Sequence, residues 1–252
     1  MKSRLIFPLK LGVILSALCF SSLYAQSLRF VAEDLPPFHF INEHDQLDGA
    51  LVEVTRELLA QAGLEGEIEL VPFARAYNVT KNMENTFLLS LLKTPVRESS
   101  FKWLGQSYKT RAFLVGLKNR TDIKLNTLDD AKAYNVGTIR GYYSETFLKQ
   151  AGFREKQNLS LSVQYEHMWQ MLFKGRIDLV LTNFIALERE IASLGLNAGD
   201  VSRYIQVKDF PDELYFATGL KTRDKLVERL REALMQLKAD GRYQKILDKW
   251  QL

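Results

Sequence analysis

Short apolar runs of β type alternate along the chain with segments whose apolar positions recur every three or four residues, and turn-rich stretches divide them. That alternation predicts an α/β protein with mainly parallel sheets. Residues 28–32 form the first predicted strand, followed by the turn-rich Leu35-Pro36-Pro37 and a polar, hairpin-like stretch over 42–48. A helix over 49–62 carries Leu51, Val54, Leu58 and Leu59 on one face, and Gly63 closes it. A strand over 68–71, a helix beginning near Phe73 and a buried strand over 87–92 come next. The chain is strand-like again over 111–117 and then polar to Asp122, and a first crossing between lobes is placed about this segment.

A second β/α series follows, with extended segments over 134–138 and 160–165 and a helix between them that Ser144 caps. A helix through Trp169, Leu172 and Phe173 ends at Gly175, a strand covers 178–182, and a helix covers 186–194. A strand over 214–220 leads into a helix capped by Thr222, whose Leu226, Leu230, Leu234 and Leu237 share one face that reads as core. Beyond Asp240-Gly241, Tyr243, Ile246, Leu247 and Trp250 form one further apolar face.

Composition changes this picture at the N-terminus. Lys2, Arg4 and Lys10 precede an apolar run over 11–20 that is too short to span a bilayer, so residues 1–25 read as a secretory signal peptide with cleavage between Ala25 and Gln26. The protein is therefore expected in the periplasm. The single cysteine, Cys19, lies inside that leader behind Leu18, where a lipoprotein signal would place a small residue. Without it the mature chain has no disulfide, cysteine zinc site or thiol nucleophile. Of 34 basic residues three sit in the leader, leaving 31 against 30 acidic ones, so the charge of +4 belongs mostly to the precursor. Nothing in that balance points to nucleic acid.

Four stretches then fall in one order along the chain. They are Glu33-Asp34-Leu35-Pro36-Pro37-Phe38 after the first strand, Leu47-Asp48-Gly49 opening the first helix, Ser90 through Arg97 followed by Phe101-Lys102-Trp103, and Gly175-Arg176-Ile177-Asp178 followed by Asn183. The Asp240-Gly241-Arg242-Tyr243 ending adds to the set. In this order they resemble the family 3 extracellular solute-binding proteins, a group that includes polar amino acid receptors of ATP-driven importers. The resemblance covers essentially the whole mature chain. It implies a two-lobed periplasmic-binding-protein fold of type II, each lobe a mainly parallel sheet flanked by helices, with two hinge crossings and one small ligand enclosed between the lobes. Lobe 1 is expected over 26–112 and 217–252, and lobe 2 over 113–216. Ligands of open α/β sheets sit beyond the carboxyl ends of strands, and closure around them is a hinge motion.

The resemblance also implies site residues. Arg97, after Thr94-Pro95, corresponds to a carboxylate-clamping arginine, whose planar guanidinium can form two parallel hydrogen bonds. Ser90 and Leu92 would offer backbone amides, or the Ser90 hydroxyl, to the same carboxylate, although many relatives carry a hydroxyl where Leu92 stands. Phe38 and Phe73 would wall the pocket, with a place in the core as the alternative for each. Arg75 would add a second anion contact at the cleft mouth or lie in solvent, and Glu33 would accept a cation. In lobe 2, Arg140-Gly141-Tyr142 precedes a helix start, where backbone amides suit an anion and glycine permits close approach. Asn183 stands where amino acid receptors usually carry the aspartate that holds the ligand ammonium. An amide oxygen accepts a hydrogen bond but cannot neutralise a buried cation, so carboxylates without an amine, or a ligand whose amine meets Glu33, stay open.

Other functions have less in the sequence. His39, His44 and His167 show neither metal-ligand spacing nor a nucleophile elbow, and His39 and His44 read as surface residues. No catalytic residue, metal or cofactor is expected, nor, with Leu252 as the last residue, an appended catalytic domain. A small lyase of the dehydratase type on the same fold is one alternative, since fold alone does not exclude activity. A periplasmic sensor component that presents its closed form to a membrane receptor is another. The expected partners are a small ligand and a membrane importer or receptor, with the protein itself a monomer.

Overall fold

The computed structural model describes residues 28–252, so the expected leader and its cleavage position lie outside the described residues. The chain runs from β1 (Leu28–Ala32) through a hairpin of β2 (Phe40–Ile41) and β3 (Leu47–Asp48) into α1 (Ala50–Ala62). Gly49 turns it into that helix at φ 126°, where a Cβ would lie 2.4 Å from the Phe38 carbonyl oxygen. Only glycine fits there. Next come β4 (Gly66–Leu70), α2 (Phe73–Asn82), β5 (Thr86–Leu92), the short α3 (Pro95–Glu98) and β6 (Phe101–Lys109). Then follow β7 (Ala112–Leu117), β8 (Val136–Ile139), α4 (Tyr143–Gln150), β9 (Leu159–Ser162) and α5 (Tyr165–Phe173). After them are β10 (Leu179–Asn183), α6 (Phe184–Ala192), β11 (Val201–Gln206), β12 (Glu213–Gly219), α7 (Asp224–Ala239) and α8 (Arg242–Lys249).

The strands build two five-stranded sheets, ordered β4-β1-β5-β12-β6 and β11-β7-β10-β8-β9, one in each lobe. Both are mixed rather than mainly parallel. In each, three strands run parallel (β4, β1, β5 and β9, β8, β10), and the other two pair antiparallel. Connectivity is the reason: β6 carries the chain out of lobe 1 and β12 brings it back alongside, while β7 and β11 do the same in lobe 2. The outer strands β6 and β11 are half-buried with no clean alternation, so the apolar pattern left them unassigned. The first crossing is 110–111, and the return is 207–212 because β12 lies wholly in the first sheet, ahead of the expected division at 216/217. Backbone bonds tie the crossings together, from Thr110 N–H to Asp212 O (2.7 Å) and from Val207 N–H to Ala112 O (2.9 Å).

Each sheet is buried on both faces. In lobe 1, α1, α7 and α8 cover Phe30, Phe87, Leu89, Leu104 and Phe216, while α2 covers Val31, Leu88, Leu91 and Ala217. In lobe 2, α4 and neighbouring loops cover one face, and α5 and α6 cover the other with Met168, Trp169, Leu172, Leu187 and Ile191. The face of α7 is core as its spacing predicts, with Leu230, Leu234 and Leu237 buried beside Val227 and Ala233, and Leu226 at the margin. Two predicted caps are not caps. Ser144 lies inside α4 and bonds Thr138 Oγ1 (2.6 Å); Thr222 Oγ1 accepts from the Asn85 N–H (3.0 Å) and pairs with Thr218 (2.6 Å). Both hydroxyls are drawn to partners that local spacing does not reveal. The extended segment predicted over 160–165 is shorter, since Tyr165 already opens α5.

Candidate ligand-binding site

A cavity of about 150 Å3 lies between the lobes, walled by both and by the crossings. From lobe 1 come Glu33 and Asp34 beyond the end of β1, Phe73 at the start of α2, Ser90 and Leu92 on β5, and Arg97 on α3. Thr138, Tyr142, Ser144, Tyr165, Asn183 and Glu190 come from lobe 2, with Thr110 at the first crossing. Apart from Thr110, which follows β6, these residues lie at or beyond the carboxyl ends of the parallel strands, the usual place for ligands of such sheets.

Arg97 is 8 % exposed and lines this space. The short α3, closed by the Arg97 N–H bond to Thr94 O (3.0 Å), sets its position. Its guanidinium carbon stands 5.7 Å from the Phe73 ring centre and 5.3 Å from that of Tyr77, and Nη1 donates to Leu92 O (3.2 Å). Burial pushes its pKa down, with Tyr77 acting the other way, and an arginine keeps its charge regardless. Among the described residues no carboxylate pairs with it. A buried cation held by rings and one carbonyl still has donors for an anion.

Ser90 is tuned by a residue expected at the surface. His39 is fully buried: Nδ1 lies 2.6 Å from Glu33 O and Nε2 lies 2.8 Å from Ser90 Oγ. Burial holds its pKa down to about 4, against the bond to the Glu33 carbonyl, so the ring is neutral at pH 7. A carbonyl only accepts, so Nδ1 carries the proton, Nε2 accepts, and the Ser90 hydroxyl donates to it. Ser90 thus shows lone pairs to the cavity, and its hydroxyl proton is not available to a ligand carboxylate.

The cavity also holds acids. Burial raises the Glu33 carboxyl to about 7, opposed by the bond from Tyr142 and reinforced by the charges of Glu190 and Asp34. Tyr142 reaches across from lobe 2 to donate its hydroxyl to Glu33 Oε2, and its ring packs on Phe73 at 5.0 Å between centres. Asp34 is also raised, by burial and by Glu166. Glu190, on α6, is likewise raised by burial to about 7, although Trp169 Nε1 donates to its Oε2 (2.7 Å). Arg97 and three carboxyls thus line one cavity, and among the described residues none of the three pairs with Arg97.

Seven of the eleven predicted residues meet here, namely Glu33, Phe73, Ser90, Leu92, Arg97, Tyr142 and Asn183. Phe38 does not: the first N–H groups of α1 bond to Pro37 O and Phe38 O (3.0 and 2.9 Å), which draws the ring into the lobe 1 core against Tyr108. Arg75 is on the exposed side of α2. Arg140 is exposed and paired with Glu155 (2.7 Å), and the Gly141 N–H is taken by Glu145 Oε2 (2.7 Å), so the expected anion site is filled by the helix's own acid. The sequence reading missed Asp34, Thr110 and Glu190. Thr110 is 5 % exposed, and its hydroxyl has no hydrogen-bond partner among the described residues. Glu190 follows Glu188-Arg189, a run that reads as a solvated helix face. No group of three or more His, Cys, Asp or Glu side chains that could hold a metal ion occurs among the described residues.

Known proteins resemble this chain in sequence and in fold. The sequence pattern of the bacterial extracellular solute-binding proteins, family 3, matches residues 29–252, and the chain belongs to that family. The ABC transporter arginine-binding protein 1 of Escherichia coli strain K12 is 25% identical over 249 residues, covering 96% of this chain and 98% of that one. Among solved structures, an ancestral arginine-binding protein bound to arginine superposes with a TM-score of 0.76 at 24% identity, over 89% of this chain and 97% of the other. A histidine kinase sensor domain with similarity to periplasmic binding proteins reaches 0.79 at 17% identity, over 89% and 96%. These last two likenesses are of fold.

Proposed function

We propose that this protein is exported and captures a small ligand carrying both a carboxylate and a cationic group, an amino acid or a near relative, between its lobes for delivery to an ABC importer. The observation that carries this reading is a cavity lined both by Arg97, which has no carboxylate partner among the described residues, and by the acids Glu33, Asp34 and Glu190. Its size supports the same class, since an engineered apolar cavity of about 150 Å3 takes a benzene-sized molecule, and larger ligands need about 300 Å3 or more. The named function of the Escherichia coli relative, arginine binding within an ABC transporter, is of this kind. Under this reading Asn183 lines the ligand while acids elsewhere in the cavity face its cation. We further read the protein as a monomer that binds without turnover, its lobes moving about the crossings at 110–111 and 207–212.

The test begins with the exported protein, unfolded and refolded to strip carried ligand, in thermal-shift and calorimetric titrations against amino acids, organic acids, polyamines and cyclic acids. A ligand at about a hundred times its Kd adds roughly 2.7 kcal/mol of stability, a shift of a few degrees for a chain of this size. Arg97→Ala should then cost about 2 to 5 kcal/mol of binding. Unchanged affinity removes Arg97 from the site, and conversion of a cyclic acid by the purified protein would replace the binding reading with a lyase.

A further inference from the structure

Glu190 is a buried acid that no local motif explains. It sits on α6 of lobe 2, 8 % exposed, with Trp169 Nε1 bonded to one carboxylate oxygen, and it lines the cavity. Across the cavity stands Glu33 of lobe 1, bonded by Tyr142, and the charge of Glu190 is felt at Glu33. The groups around the pair are acids and phenols: Asp34 in lobe 1, and Tyr142, Tyr165 and Glu166 in lobe 2. Beneath Glu33 the His39 ring is neutral, Arg189 of α6 turns instead to the Phe40 ring at 4.9 Å, and Arg97 lies against the Phe73 and Tyr77 rings.

We propose that Glu33 and Glu190, approaching from opposite lobes, form a split carboxylate pair that makes lobe closure conditional on a positive charge between them. Glu190 supplies the second-lobe contact to the ligand cation that Asn183 cannot. The proposal rests on the reading of this cavity as a ligand site. In the open protein each carboxylate faces water, whereas closure strips both of water and sets like charges toward each other, which is unfavourable unless a cation or a proton intervenes. A ligand with only a carboxylate satisfies Arg97 and leaves the pair unrelieved, so it closes the protein only after proton uptake. The raised values of both acids, about 7, fit a pair that holds a proton near neutrality and gives it up to a cationic ligand. Affinity for a cationic ligand therefore rises with pH through about 7, and affinity for a ligand without a cation falls over the same range.

Three probes share a six-carbon acid skeleton and differ in ammonium groups: L-lysine, L-norleucine and hexanoate. Calorimetry at about pH 8 and about pH 5 on wild type, Glu190→Gln and Arg97→Ala reads the preference for cations, and L-arginine serves as a further cationic probe. Glutamine keeps an oxygen for Trp169, so the helix packing is retained. At the higher pH wild type should prefer an ammonium-bearing probe over hexanoate, and Glu190→Gln should narrow that ratio by about tenfold or more. A ratio that Glu190→Gln leaves unchanged overturns the proposal, while loss of binding in Arg97→Ala keeps the ligand reading intact. If no probe or amino acid binds wild type, the ligand reading fails and this proposal with it. A ligand-free arm stands apart from both: small-angle scattering should show wild type more compact at about pH 5 than at about pH 8, and Glu190→Gln compact at both. Equal wild-type radii at the two pH values overturn the conditional closure directly.

Discussion

His39 decides which way the Ser90 hydroxyl points, and that decides what Ser90 can offer a ligand. Nitrogen-15 spectra should show His39 protonated at Nδ1 and unchanged between about pH 7 and 5, since its folded value lies near 4. The unfolded residue takes up a proton below about 6.5, so His39 contributes stability that is lost as pH falls from there through about 4. His39→Leu leaves the Glu33 carbonyl and the Ser90 hydroxyl without their partner and should cost about 1 to 3 kcal/mol in urea unfolding. At this scale the places of Arg97 and Glu33 on the cavity wall were legible because both sit in the ordered set of stretches, while Phe73 was read from the helix it opens. The sequence could not show His39, whose imidazole between two turn-like stretches carries no burial signal, or Glu190, whose neighbours are charged.

The helices and strands were legible where periodicity is strong. Residues 49–62 and the stripe of α7 matched because an apolar face at spacings of three and four has one stable solution, which is to cover a sheet. Leu230, wholly buried under that stripe, gives the corresponding prediction: Leu230→Ala should destabilise the protein by about 2 to 5 kcal/mol with ligand stoichiometry unchanged, measured by denaturant unfolding and titration. Strands β6 and β11 escaped notice because an edge strand carries a weak pattern, and the antiparallel pairing followed from where the chain crosses between lobes. Ser144 and Thr222 were misread for a related reason. A serine or threonine near a helix start satisfies the capping rule in sequence, yet its hydroxyl goes to whichever partner the tertiary fold brings closest.

At the scale of the molecule the two lobes are joined by contacts such as Tyr142 on Glu33 and on Phe73, and Arg189 over Phe40. Tyr142→Phe keeps the ring contact and removes the hydroxyl, so it should weaken binding through a faster off-rate while leaving thermal unfolding of the ligand-free protein within about 0.5 kcal/mol. The sheet order carries a different consequence. All five strands of the second sheet come from one uninterrupted stretch, 112–206, whereas in the first sheet β12 lies between β5 and β6 although it is made after both. As the polypeptide emerges from its N-terminus, lobe 2 can assemble its core at once, while lobe 1 waits with a gap in its middle until residue 219 arrives. The half of the molecule that begins first is thus the half that must finish last.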